Sequence, residues 1–408
     1  MTPRMKRLLW AAGAAAVVAL QAQFAFADQI VWWLPNWREA AGRDLAKKFE
    51  AANPGTTVKI EITVSDGLPT KILTALNSGS PPDVIDAQHG WVVPYAQQGL
   101  IQPLDDVIDN KADYYPAALE YDTWNNKLWG IPYRIESIAM LYNKDMFKAA
   151  GLDPEKPPET WTQLIDAAKK LTHGDQYGFA ITGGGEFGNT VFRSLPFIWE
   201  NGGSIISKDM KTATVNQPAA VEAVKFYTDM LTKYHVSPPS TLQNDGTANR
   251  HLFASGKVAM YQAGQFDIPA IKQENPKINI GAMMMVHPDG KDPAAILGGW
   301  SFIVPKDAPN AAGAKKFIKF LAEPANMAEI TYTFPARKSA MNMPQFQDPE
   351  LKVFKDMLPY ARTLPAQKNW IQITQAYFNG VQSILTGDAK PQEAMNQAAD
   401  DINGLLQQ

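Results

Sequence analysis

Between residues 30 and 98 the apolar side chains switch repeatedly between two periods, and this alternation limits the chain to one broad class of fold. Ile30 to Leu34 is a continuous apolar run of strand length, after which Leu45 and Phe49 fall four apart on a helix ended by Asn53-Pro54-Gly55. Val58, Ile60, Ile62 and Val64 alternate with polar residues as a strand, and Leu68, Ile72, Leu73 and Leu76 return to helical spacing. Val84 to Asp86 follows Pro81-Pro82 as a short strand, and a helix is expected near Val92 to Gln98. Strand and helix in alternation predict an α/β fold with a mostly parallel sheet covered by helices.

The same punctuation continues downstream. Tyr133 to Tyr142 is an extended apolar run, and Asn143-Lys144-Asp145 opens a helix that Gly151 closes. Thr160 and Gln163 have the spacing of a capping box, in which a hydroxyl and an amide satisfy free N–H groups at a helix start. Helices are expected from about Ala219 to Lys233 and from Ala314 to Leu321, the second after a strand from Trp300 to Val304. A last helix from about Pro391 directs Met395, Ile402 and Leu405 toward a core. No long Pro- or Ser-rich linker occurs, so the chain is expected to cross between domains several times at hinges.

Length sets the number of domains. Arg4, Lys6 and Arg7, the apolar stretch from Leu8 to about Leu20, and Ala25-Phe26-Ala27 form a secretory leader with cleavage expected after Ala27. Gln21 and Gln23 break the apolar stretch, which is too short to span about 30 Å of hydrocarbon. The chain's 408 residues less the 27 of the leader leave 381, more than one core accommodates and suited to two domains. With no cysteine, there is neither a lipid-modifiable thiol at the cleavage site nor a disulfide. A soluble periplasmic protein, expected as a monomer, follows. Loss of the three leader cations shifts the net charge from −3 to about −6, which repels phosphate backbones, so no nucleic acid partner is expected. Ten of the eleven tryptophans lie outside the leader, a supply that suits stacking against sugars and that a large core also absorbs.

Several chemistries lack their motifs. His89, His173, His235, His251 and His287 are scattered, with no HExxH and no His/Cys cluster, so neither a metal nor a cofactor is expected. Gly183-Gly184-Gly185 lacks the Lys-Ser/Thr of a phosphate-gripping loop and reads as a flexible loop after a strand at Phe179 to Ile181. No GxSxG elbow is present. Carboxylate pairs for glycoside hydrolysis always exist among 41 Asp and Glu, which keeps a secreted carbohydrate-active enzyme as the alternative class.

Four stretches together carry a family resemblance: Lys47 to Gly55, Pro82-Asp83-Val84-Ile85, Leu141 to Asp145 with Ala150-Gly151-Leu152, and Gly298-Gly299-Trp300 with Pro335 to Ser339. In this order the chain resembles the family-1 extracellular solute-binding proteins of ABC importers, the maltose-binding-protein-like group. The resemblance implies a binding protein, not an enzyme, with the α/β two-lobed periplasmic binding protein fold. Its hinge crossings are implied near Arg134 to Ile138, Leu297 to Trp300 and Thr331 to Ala336. Lobe 1 is then residues 28–135 with 300–333, and lobe 2 residues 136–299 with 334–408. The implied partners are a small carbohydrate-like ligand and the membrane permease of an importer.

Residue by residue, the resemblance sets Asn36 and Trp37 where the maltose-binding pattern has a carboxylate and a lysine, which argues against maltose itself. Gly90 and Trp91 fall on its second polar pair, and Glu136 matches a ligand-binding glutamate. Phe192 and Phe266 keep aromatic positions. Thr374 and Gln375 replace a C-terminal aromatic pair, for which Trp370, one turn earlier, is the expected substitute. Arg38, His89, Gly299, Trp300 and Arg337 complete the candidate ligand-binding set. A sugar presents an apolar C–H face to a ring and a rim of hydroxyls to carboxylates, amides or arginines. Arg38, Arg134, Arg193 and Arg337 leave an anionic polyol or sugar phosphate open as the alternative ligand.

Overall fold

Six strands drawn from widely separated parts of the chain assemble one sheet, and a single residue, Ser137, separates its first crossing strand from a shorter antiparallel sheet. The computed structural model describes residues 28–64, 67–184 and 187–407; the expected leader lies outside the described residues. In chain order the strands are β1 (Asp28–Pro35), β2 (Thr56–Thr63), β3 (Val84–Gln88), the hairpin β4 (Thr123–Trp124) and β5 (Lys127–Leu128), β6 (Ile131–Glu136) and β7 (Ile138–Asn143). Then come β8 (Met260–Gly264), β9 (Ile280–Met283), β10 (Ala295–Ile296), β11 (Gly298–Ile303), β12 (Phe334–Pro335) and β13 (Ala361–Arg362). The large sheet has the order β12-β6-β11-β3-β1-β2, and the small one β8-β7-β9.

The expected helix and strand alternation is present, but the sheet is mixed rather than mostly parallel. β1, β2 and β3 pair in parallel through helical crossovers, whereas β11 and β12 return from far downstream and pair antiparallel to their neighbours. Local periodicity reports that a segment is a strand and not which way it runs in the sheet. β12 joins the large sheet opposite Arg134 and Ile135 of β6.

Local signals act as read. Thr160 and Gln163 form the capping box at the start of the helix Trp161–Leu171. Asn143 caps the helix Lys144–Ala149 by accepting from the backbone N–H groups of Asp145 and Met146. Trp32 is fully buried against Phe302 and Phe317, and its indole N–H donates to Asp86 Oδ1 at 2.7 Å. The segment 179–181 forms one isolated bridge to β8, from Ala180 to Tyr261, rather than a strand of its own. Gly183 and Gly184 are packed, not loose: a Cβ at Gly184 would lie 2.4 Å from the Gln243 backbone. The glycines permit close approach of two backbones.

The C-terminal third ties both sheets together. The helix Trp370–Thr386 packs on Phe187–Glu200, with Tyr377 Oη donating to Ser194 Oγ at 2.9 Å. Upstream of it, residues 344–369 run along the crossings: Ser137 Oγ donates to the Phe354 carbonyl at 2.6 Å, β13 pairs with β10, and the Leu364 N–H donates to Tyr121 Oη at 3.0 Å.

Candidate functional site

Strands β6 and β11 lie side by side where the chain passes from one sheet to the other, with Gly298 opposite Glu136 and Trp300 opposite Arg134. The register shifts between Trp300 and Ser301, a bulge of the kind that re-aims a side chain. Trp300 meets Trp37, from the turn Asn36–Arg38 that follows β1, at 5.3 Å between ring centroids, and Trp91 at 5.9 Å. Trp37 in turn meets Tyr332 at 5.4 Å, so four rings from four segments form a continuous run. All three ring pairs are edge to face, the arrangement that the ring quadrupole favours.

Arg134 holds this run together. Its guanidinium carbon is 4.5 Å from the ring centroid of Trp37 and 4.5 Å from that of Tyr332. Its Nη2 is 2.5 Å from Glu136 Oε2 and donates to Tyr332 Oη at 3.2 Å, while Nε donates to Thr333 Oγ1 at 2.9 Å. Burial acts to lower the Arg134 pKa, but Glu136 and the two nearby tyrosines outweigh it and hold the guanidinium above its ordinary value. Glu136 Oε2 is thereby occupied, and Oε1 makes no hydrogen bond among the described residues. A Cβ at Gly298 would stand 2.7 Å from Glu136 Cγ, so the glycine leaves room for that side chain.

His89 lies beneath the run rather than in it. It is buried, its ring stacks on Tyr121 at 5.1 Å, and Nε2 donates to the Arg134 carbonyl at 3.1 Å. Nδ1 lies 2.9 Å from Ser301 Oγ and 3.2 Å from Asp122 Oδ1. With both nitrogens engaged, the ring fixes the crossing strands. Gly299 has φ 148°, and a Cβ there would come 2.1 Å from the Arg134 carbonyl oxygen, so only glycine fits.

The other candidates separate. Trp37, Arg38, Trp91, Glu136 and Trp300 converge, and Asn36 is exposed on the same turn. Arg38 donates to the Glu329 carbonyl, and burial lowers its pKa. Phe192 and Phe266 are half-buried on the side of the second sheet. Arg337 is not brought to the cluster: it donates to Asp113 Oδ2 at 2.7 Å, Asp109 Oδ1 at 3.0 Å and the Ala322 carbonyl, beneath the first sheet. Trp370 is 6% exposed at the head of its helix, with its indole packed in the core. Sequence reasoning missed Tyr332 and Thr333 as site residues, although both lie in an expected crossing. An aromatic inside the expected crossing was the available signal in the sequence, and in the structure Tyr332 is 38% exposed.

Two α/β units joined through strand crossings, with rings and charges gathered at those crossings, define a two-lobed periplasmic binding protein. The chain belongs to the bacterial extracellular solute-binding proteins, whose family profile matches residues 12–328. The sn-glycerol-3-phosphate-binding periplasmic protein of Escherichia coli (strain 536) is 29% identical over 445 residues, covering 98% of each chain. A crystal structure of an ABC transporter solute-binding protein from Thermotoga lettingae, bound to α-D-tagatose, superposes with a TM-score of 0.84 at 28% identity, over 93% of this chain and 99% of that one. A glycerophosphocholine complex from Mycobacterium tuberculosis superposes with a TM-score of 0.82 over 93% and 98% of the two chains; at 23% identity it speaks to fold alone. Among the described residues no helix is long and apolar enough to cross a membrane, and no group of His, Asp and Glu is placed to hold a metal ion.

Proposed function

We propose that this protein captures a carbohydrate or polyol between its lobes and delivers it to the membrane permease of an ABC importer, without chemical turnover. The observation that carries this reading is the run of Trp91, Trp37 and Tyr332, backed by the buried Trp300, beside the Glu136 Oε1 that makes no hydrogen bond among the described residues. Rings cover the C–H face of a sugar, and a carboxylate accepts from its hydroxyls. The ligands of two relatives, tagatose and sn-glycerol 3-phosphate, support a small polyhydroxylated solute. The site comprises the converging residues together with Phe192 and Phe266 from the second lobe. The lobes divide between Glu136 and Ile138, following sheet membership, and the leader is removed on export to the periplasm, where the protein acts as a monomer. The buried Nε of half-buried Arg38, without a hydrogen-bond partner among the described residues, favours a second reading, an anionic polyol.

A thermal-shift screen of sugars, polyols and their phosphates tests the proposal, because a ligand that binds only the folded state raises Tm by mass action. A hit should also reduce the radius of gyration in small-angle scattering as the lobes close. Absence of any hit, or conversion of a sugar at catalytic protein concentration, overturns it.

A further inference from the structure

At the end of β8, on the side of the second sheet, Gln265 is a buried amide without partners among the described residues. It follows Gly264, the last residue of β8, which pairs with Ile138, the first residue past the crossing. Gln265 is 3% exposed, and neither its amide nitrogen nor its amide oxygen has a hydrogen-bond partner among the described residues. Buried polar side chains are paired in the large majority of cases, so an amide open at both ends marks a place where the partner comes from outside the fold. Its position agrees. Asp267, two residues on, lies within electrostatic range of the Tyr332 hydroxyl in the segment before β12, so the turn at 265–266 stands near the aromatic run. Phe266 lies between them with its ring over the Gly264 backbone, where a Cβ would stand 2.1 Å from Cε1.

Charge narrows what the partner is. The Arg134 guanidinium is balanced by Glu136, and Arg250 is paired with Glu274 at 3.2 Å and faces Asp267 at 3.9 Å. Arg193, whose Nη1 donates to the Gln262 carbonyl at 2.8 Å, lies in the field of the buried Asp267 carboxylate. An anion entering here meets the free Glu136 Oε1 and the Gln265 amide oxygen, both acceptors. A hydroxyl both donates and accepts, and so satisfies carboxylate and amide together. Arg38, held by the Glu329 carbonyl, and Arg193 each keep a buried Nε without a hydrogen-bond partner among the described residues; these are the cations that an anion could still use, and the phosphate probe below tests them.

We propose that Gln265 is a ligand-contacting residue of the second lobe, its amide pairing with hydroxyls of an uncharged polyhydroxylated solute that Glu136 holds from the other side. The proposal rests on the carbohydrate or polyol reading and chooses its neutral branch.

Calorimetry on purified wild type and Gln265→Leu, with D-tagatose, maltose, glycerol and sn-glycerol 3-phosphate as probes, decides it. An uncharged probe is expected to bind wild type more tightly than the phosphate, and Gln265→Leu to weaken it about ten-fold or more, the range for one unmet buried polar group. The solute-free variant is expected to melt at the same temperature or higher, because an apolar group replaces an unpaired amide. Gln265→Asn, with the amide on a shorter stem, is expected to fall between the two in affinity and supplies the comparison should the leucine variant not fold. An uncharged probe bound equally by wild type and both variants overturns the role of Gln265 and leaves the proposed function standing. Tighter binding of the phosphate than of every uncharged probe overturns the neutral branch. Binding of none of the four overturns the neutral branch together with the reading on which it rests.

Discussion

Arg134 and Glu136 stand two residues apart on one face of β6, with Nη2 2.5 Å from Oε2 and the guanidinium flanked at 4.5 Å by the rings of Trp37 and Tyr332. One side chain therefore joins the turn after β1, the first crossing and the segment before β12. It sets the spacing of two rings and leaves Glu136 Oε1 without a hydrogen bond among the described residues.

Replacing Arg134 is expected to be costly. Arg134→Ala strands the buried Glu136 carboxylate, a loss of about 3 to 5 kcal/mol when one partner of a buried pair is removed. Arg134→Lys keeps the charge but not the flat fork between the rings, and should fall between. Urea unfolding with tryptophan fluorescence measures both. A loss below about 1 kcal/mol for the alanine variant means that the pair does not hold the run.

Stability should decline from mildly acidic to neutral pH. Asp86 is buried, accepting from Trp32 Nε1 at 2.7 Å and Tyr133 Oη at 3.0 Å, and burial pushes its carboxyl up to about 7 against the opposing pull of these two donors. The unfolded chain releases that proton near 3.8, so between about 4 and 7 the folded state binds a proton that the unfolded state does not. The contribution is fully present below the lower value, is lost as pH rises through the upper one, and amounts to roughly 4 kcal/mol at about 1.4 kcal/mol per unit. Asp267, raised to about 6 chiefly by burial, acts with the same sign. Asp86→Asn, which can accept from Trp32 and donate to Tyr133, should show a smaller fall between pH 5 and 8. Equal falls in wild type and variant would show that Asp86 is not the group titrating.

Phe266→Ala and Glu136→Ala test the two sides of the cleft. Each should weaken binding of the solute found by the thermal-shift screen at least several-fold, about 1 to 3 kcal/mol for the carboxylate. Phe266→Ala should shift Tm little, because its ring is half-buried. Unchanged affinity with a large stability loss would make these residues core and not site.

Two glycines should fail differently. In Gly264→Ala the new methyl meets the movable ring of Phe266, so affinity should fall while the fold survives. In Gly299→Ala it meets the Arg134 carbonyl oxygen at a φ of 148°, so the backbone must move and Tm should drop. Melting curves and calorimetry on both variants separate the cases. Equal Tm losses would remove the distinction.

The sequence by itself determined what depends on neighbours along the chain. Periodicity at Leu45 and Phe49, the cap at Thr160 with Gln163, and the stop at Asn53 to Gly55 act over a few residues, and each stands where it was read. The crossing regions around Glu136 and Trp300 were legible because their flanking motifs occur in the family's order. Only the tertiary structure decided which side chains meet across distance. Arg134 and Arg337 are both arginines in or beside expected crossings, yet one is clasped between rings and the other anchors to Asp109 and Asp113, because strand pairing in space selects their neighbours. Trp37 and Trp370 divide likewise into cluster and core. Strand direction, the bulge at Trp300, the role of His89 beneath the site and the unpaired amide of Gln265 belong to that second set. They arise from contacts between segments tens to hundreds of residues apart, and a local pattern does not encode which segments those are.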